Sequence, residues 1–235
     1  MKLNKLISRN AKPKLVLLID PDKYNPELIK LSVKYPVAFF LVGGSELKKD
    51  NLTEVIKSIK KISKKPVIIF PGDEKQISKD ADGLLLLSLI SGRNAEYLIG
   101  KHVKAASIIK QTGIATMSTG YILINGEKIS TTQKITKTKA INSRATKLIT
   151  DTAIAGELLG LQAIYLEAGS GARITVNSKN IKAVKKLTNL PLIVGGGIDS
   201  LAKAKKVADS GANYVVIGNA LEKNISLLSE IAKAF

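Results

Sequence analysis

The residues best suited to chemistry stand where apolar runs end. Asp20 closes the first run, in KLVLLIDPDK, and Ser45 follows the glycines of VAFFLVGGS. YLEAGSGA, residues 165–172, sets Tyr165 and Glu167 two positions apart, just ahead of Gly169 and Gly171. Two later runs end in Gly195–Gly197 and in Gly218-Asn219. Glycines at three successive run ends let backbone N–H groups approach an anion closely. Helices that start there add their positive dipole ends. A carboxylate beside such a cradle repels the anion, so Glu167 needs another purpose. It can accept a hydrogen bond from a substrate hydroxyl and act as a base. A neighbouring phosphate dianion raises its pKa and suits it to that role. Tyr165 shares its strand face and would orient the same substrate. Asp20 and Ser45 offer hard oxygen ligands of the kind Mg²⁺ takes while it stays largely hydrated or phosphate-bound. Asp20, directly before Pro21, equally reads as a turn former. His102 stands alone in a predicted helix and reads as exposed and structural.

These residues need a scaffold that brings run ends together. Eight short apolar runs alternate with amphipathic segments: 14–20, 37–44, 66–72, 82–92, 114–124, 162–169, 191–197 and 213–218. Runs of this kind, bounded by turn residues, are the mark of parallel strands buried on both faces. In NLTEVIKSIKKIS, Leu52, Val55, Ile56, Ile59 and Ile62 recur at helical spacing with lysines opposite. Eight such units predict a (β/α)₈ barrel, whose active sites lie at the C-terminal ends of the strands. No GxGxxG opens the first helix, which argues against a dinucleotide fold. Only DEKQISKDA separates the third and fourth runs, so the third helix is expected to be missing or reduced. After the fifth run, Asn125-Gly126 signals a hairpin turn. The lysine- and threonine-rich residues that follow, to about 145, read as an insertion, either a mobile lid or an ordinary surface loop.

With 235 residues and no sign of a linker, residues 1–235 are expected to form one domain. The chain has no cysteine, which excludes disulfides and zinc-thiolate chemistry. The basic N-terminus, MKLNKLISRNAKPKL, lacks the apolar core and cleavage site of a signal peptide, and no apolar run is long enough to cross a membrane. A cytoplasmic location is expected. A net charge of +18 favours anionic partners. With four phenylalanines, six tyrosines and no tryptophan, the chain lacks the interleaved aromatics of single-strand binders, and no nucleic-acid partner is expected. Lysines on solvated helix faces account equally well for the excess.

Taken together, IDPDK, the VGGS end of the second run, YLEAGSG, VGGGI and VIGNALE resemble the geranylgeranylglyceryl phosphate synthase family across residues 20–222. The resemblance implies a modified (β/α)₈ barrel without its third helix, the gap taking a prenyl chain. It implies transfer of a geranylgeranyl group from its diphosphate to sn-glycerol 1-phosphate, with an ether bond formed and diphosphate released. Glycerol 1-phosphate would be held by Tyr165, Leu166, Glu167, Ala168, Gly169, Ser170 and Gly171, by Gly196 and Gly197, and by Gly218 and Asn219. Asp20 and Ser45 would ligate Mg²⁺, which carries the prenyl diphosphate, and Glu167, with Tyr165, would act on the attacking hydroxyl. A homo-oligomer, dimer or hexamer, and peripheral contact with a membrane surface are expected. Related heptaprenyl enzymes carry a lysine two residues before the metal aspartate, where this chain has Leu18; this favours the geranylgeranyl group without fixing chain length. Arg93, near the end of the fourth run, is a further candidate for diphosphate. The alternatives are the same reaction with a heptaprenyl donor, or a barrel isomerase or lyase on a phosphorylated sugar, with Asp73 as one of its catalytic residues.

Overall fold

The computed structural model describes residues 3–125 and 129–235. Eight parallel strands form a closed barrel: β1 (Lys14–Ile19), β2 (Val37–Val42), β3 (Val67–Ile69), β4 (Gly83–Ser88), β5 (Thr116–Asn125), β7 (Ala163–Glu167), β8 (Leu192–Gly195) and β9 (Tyr214–Ile217). Pairing runs in chain order; β4 pairs β5, and β9 returns to β1 to close the ring. A two-residue strand, β6 (Ile141–Asn142), lies outside the ring. Each expected apolar run contains one barrel strand.

Strand alternation sorts the side chains into two cores. Val16, Leu41, Ile68, Tyr165, Ile193 and Tyr214 fill the barrel interior, whereas Leu15, Leu17, Phe40, Val42, Ile164 and Leu166 pack outward under the helices. The helix Leu52–Ile62 shows why: Leu52, Val55, Ile56 and Ile59 are buried on one face, as their spacing predicts. At the N-terminal end of the barrel, Leu3 and Ile7 plug the opening. Tyr214 fixes that plug, its hydroxyl accepting from Ser8 N–H and donating to the Leu6 carbonyl. The other end is left open for a site.

Residues 70–82 connect β3 to β4 without a helix. Lys60 secures this bare crossing, bonding to the Asp80 carbonyl and the Asp82 carboxylate, each at 2.8 Å. Asp82 also accepts from Val67 N–H. Leu84 and Leu86 of β4, which a third helix would cover in a regular barrel, border a groove instead.

The hairpin turn expected at Asn125-Gly126 falls partly outside the described residues. The next described strand, β6, pairs with β5 in parallel. A parallel return needs a crossover, supplied here by the helix Thr131–Thr136. Ser130 and Gln133 cap it reciprocally.

Candidate active site

At the mouth of the barrel, β7 turns Tyr165 and Glu167 inward. Glu167 is 6% exposed, and no cation pairs with it among the described residues. Its Oε1 accepts the Gly169 N–H at 2.7 Å. Burial pushes its carboxyl up to about 7, while the Gly169 N–H and the adjacent Tyr165 hydroxyl oppose the rise. A carboxylate poised near neutrality can take a proton from a hydroxyl and return it. The Tyr165 hydroxyl is buried over Gly195, next to Glu167, without a partner of good hydrogen-bond geometry, so it is free to contact a substrate. Tyr165 stacks on Tyr121, centroids 5.3 Å apart, and packs against Phe70 at 5.1 Å. Burial and then the Glu167 charge raise the pKa of both tyrosines well above the ordinary range, so both stay protonated donors.

The glycine loops surround this carboxylate. Gly169, Gly171, Gly196 and Gly197 all have left-handed φ, between 70° and 105°, where a side chain is strained. At Gly196 a Cβ would also strike the Glu167 carboxylate and lie 2.9 Å from the backbone nitrogens of Ala168 and Gly169. Gly171 faces open space. Gly218 precedes the helix Asn219–Lys223 without a side-chain cap, which leaves first-turn N–H groups for a ligand. Ser170 Oγ donates to Asn219 Oδ1 at 2.8 Å and joins two of the loops. One polar pocket of about 580 Å³ is lined by Asp20, Ser45, Tyr165, Glu167, Ser170, Gly171, Gly196, Gly197, Gly218 and Asn219, within the usual size of a ligand site. Leu166 and Ala168 do not line it. Strand alternation turns their side chains into the outer core, and the Ala168 N–H is held by the Gly195 carbonyl; the Gly169 N–H is held by Glu167. Any contact from Leu166 must come from its backbone.

Across the mouth, Asp20 and Ser45 end β1 and β2. Asp20 is the turn former its place before Pro21 suggests, Oδ1 accepting the Asp22 N–H at 3.0 Å. Its carboxylate is also partly exposed to the pocket and lies beside Gly44. No cluster of three histidine or acidic side chains that could hold a metal occurs among the described residues. A carboxylate, a hydroxyl and an open pocket fit a magnesium ion that draws its other oxygens from water and a diphosphate. Arg93 does not reach this region: its guanidinium donates to the Ile90 and Gly92 carbonyls and braces its own turn. Asp73 is bound to Lys101 at 2.8 Å. Burial alone would lower the Lys101 pKa, but its bonds to Asp73 and Glu74 carry it well above the ordinary lysine value.

Beside the polar pocket runs an apolar groove, lined by Ile77, Leu84, Leu86, Ala105, Ile109 and Ile135 among others. It occupies the place of the absent helix and meets the polar pocket along Gly44, Ser45, Phe70, Tyr121 and Thr132. The helix Thr131–Thr136 thus lines both cavities. His102, expected to be exposed, is half-buried against the groove, its Nε2 2.9 Å from the Leu87 carbonyl.

Positioning residues escaped the sequence. Buried Gln76 donates to the Gly44 carbonyl at 2.7 Å and accepts from the Gly44 and Gly72 N–H groups, which fixes the strand end that carries Ser45. Asp22 accepts the Lys48 and Lys49 N–H groups at 2.7 and 3.0 Å and ties the same loop to β1.

Known proteins resemble this chain in sequence and fold. A geranylgeranylglyceryl phosphate synthase of Spirosoma linguale is 44% identical over 97% of this chain and 92% of its own length. One of Pyrococcus horikoshii is 37% identical over 96% and 91%. The crystal structure of (S)-3-O-geranylgeranylglyceryl phosphate synthase from Thermoplasma acidophilum, in complex with its substrate sn-glycerol-1-phosphate, superposes with a TM-score of 0.92 at 30% identity, covering 100% of this chain and 98% of that one. The PcrB family model matches residues 8–235, and the chain belongs to that family.

Proposed function

We propose that the protein transfers a geranylgeranyl group from its diphosphate to sn-glycerol 1-phosphate. The observation that carries this reading is the shared wall: a polar, glycine-lined pocket with a buried carboxylate meets an apolar groove at Gly44, Ser45, Phe70, Tyr121 and Thr132. A small phosphorylated alcohol fits the first and an isoprenoid tail the second, so the reacting atoms meet at the wall. The relatives' names and the glycerol phosphate bound by the Thermoplasma enzyme support the same pair of substrates.

In this reading the Gly171, Gly196–Gly197 and Gly218-Asn219 backbone holds the phosphate. Glu167, with the Tyr165 hydroxyl, receives the glycerol hydroxyl. Asp20 and Ser45 would hold Mg²⁺, which when bound would supply positive charge to the diphosphate leaving group. The bond from the allylic carbon to the diphosphate oxygen breaks, its electron pair leaving with the diphosphate. The glycerol oxygen bonds to that carbon, and its proton passes to Glu167. Holding the hydroxyl beside the allylic carbon supplies much of the rate. No described helix is long and apolar enough to cross a membrane; with a net charge of +18, the protein meets its amphiphilic donor at an anionic membrane surface. It works in the cytoplasm as a homo-oligomer, which would cover exposed Ile99 and Val103, 58% and 68% accessible, on one helical face.

The test mixes purified protein, Mg²⁺ and radiolabelled sn-glycerol 1-phosphate with farnesyl, geranylgeranyl or heptaprenyl diphosphate. Label in the organic phase, greatest with geranylgeranyl diphosphate, is expected. A heptaprenyl preference would revise the chain length. No label with any donor would refute the reaction.

A further inference from the structure

The polar pocket is lined by carboxylates that this chemistry does not use, and one of them, Glu222, is bonded into the site. Glu222 lies in the short helix after β9, three residues beyond Asn219, and its side chain is only 16% exposed. Its Oε2 accepts from Lys23 Nζ at 2.9 Å and from Asn219 Nδ2 at 3.2 Å. Lys23 continues to Asp20, with Nζ 3.4 Å from Oδ2. Asn219 continues to Ser170, whose hydroxyl it accepts at 2.8 Å. An unbroken polar chain therefore runs Ser170–Asn219–Glu222–Lys23–Asp20. It crosses the mouth from the phosphate loops to the end of β1.

We propose that the Lys23–Glu222 pair is a positioning device that couples binding of the phosphorylated alcohol to binding of the diphosphate; the proposal rests on the functional reading above. The Lys23 ammonium is shared between two carboxylates, nearer to Glu222 than to Asp20. With a cation held at Asp20, Lys23 would be repelled from that carboxylate and keep its shorter bond to Glu222. Glu222, with its charge matched, keeps its bond to the Asn219 amide. Asn219 then holds Ser170 and the start of its own helix in one arrangement, the one that faces the phosphate. Ordering completed by the first ligand need not be repeated by the second, and the effect is reciprocal. Charge alone works against it, because one Mg²⁺ offsets only part of the diphosphate charge and the remaining anion repels the phosphate. Positive coupling therefore needs a device, and this chain of bonds spans the required distance.

Calorimetric titration of the full-length protein with sn-glycerol 1-phosphate, alone and then with Mg²⁺ and inorganic diphosphate present, measures the coupling without turnover. Wild type is expected to bind glycerol phosphate about 5-fold tighter or more in the second condition. Lys23→Met and Glu222→Gln should bring that ratio to about one or below, and Lys23→Arg should restore most of it. In turnover, both disabling variants should raise KM for both substrates more than they lower kcat. A wild-type ratio of one, or a Glu222→Gln ratio equal to wild type's, overturns the proposal. Lys23 is half exposed, so Lys23→Met carries the test if Glu222→Gln fails to fold. Wild type that binds no glycerol phosphate in either condition instead overturns the functional reading, and the coupling with it.

Discussion

Glu167→Gln should make the protein more stable and nearly inactive, and the gain in stability should depend on pH. Burial lifts the Glu167 pKa from 4.5 to about 7. Between those values the folded chain binds more proton than the unfolded chain, so stability falls as pH rises through that window. Above pH 7 the full penalty remains. The gap between 7 and 4.5 is worth about 3 kcal/mol at about 1.4 kcal/mol per pKa unit. Glutamine has the same shape, keeps an oxygen to accept the Gly169 N–H, and never ionises. Its advantage should therefore be small, about 1 kcal/mol, near pH 5 and about 3 kcal/mol near pH 8.5. Urea unfolding of both proteins at the two pH values reads this difference directly as a shift in midpoint at constant slope. A difference that does not change with pH would refute the idea that Glu167 ionises while buried and unpaired. Activity should move the other way, falling about 10²- to 10⁴-fold as for loss of a general base. Wild-type kcat/KM should rise with pH through an inflection near 7, and the variant should lose that limb. Glycerol phosphate ionises near pH 6 on its own account, but that step persists in the variant and so can be separated.

The other parts of the site give simpler outcomes. Asp20→Asn should shift the Mg²⁺ titration of activity to higher concentration by about tenfold or more, and an unchanged titration would remove Asp20 from the metal site. Gly196→Ala puts a methyl group into the Glu167 carboxylate at a φ of 85°; calorimetry should show glycerol phosphate binding weakened by about 1 to 3 kcal/mol from backbone strain alone. Ala105→Phe should narrow the groove and raise KM for geranylgeranyl diphosphate more than for farnesyl diphosphate; equal effects would mean that the chain does not pass Ala105. Co-sedimentation with anionic liposomes should be seen at low salt and lost at high salt.

Strand ends were readable from the sequence because a barrel buries both faces of each strand. The runs are continuous and stop where the barrel stops, so Asp20, Ser45, Glu167 and the glycines announce themselves as run ends. Even the missing helix was visible, as DEKQISKDA is too short and too polar to cover Leu84 and Leu86. Supporting contacts were not readable. Gln76 acts on Gly44 from 32 positions away, and Lys23 meets Glu222 across 199; no local pattern encodes such pairs. Direction was also hidden where residues lie beyond regular structure. Arg93 follows β4 but donates to the Ile90 and Gly92 carbonyls, and His102 turns inward although its helix reads as a surface one.

Glu167 and Glu222, both in the pocket, show how one residue type takes two roles in a site built for anions. Glu222 has a cation 2.9 Å away and bonds the Asn219 amide, so it fixes its neighbours. Among the described residues Glu167 has no cation, accepts one backbone N–H and lies beside a tyrosine hydroxyl, and its pKa rises towards neutrality. A phosphate dianion bound at the glycines raises it further. The arriving substrate therefore strengthens the base that is to act on its own hydroxyl. A carboxylate beside an anion cradle is costly in the empty protein, and the same cost makes it reactive once the cradle is filled.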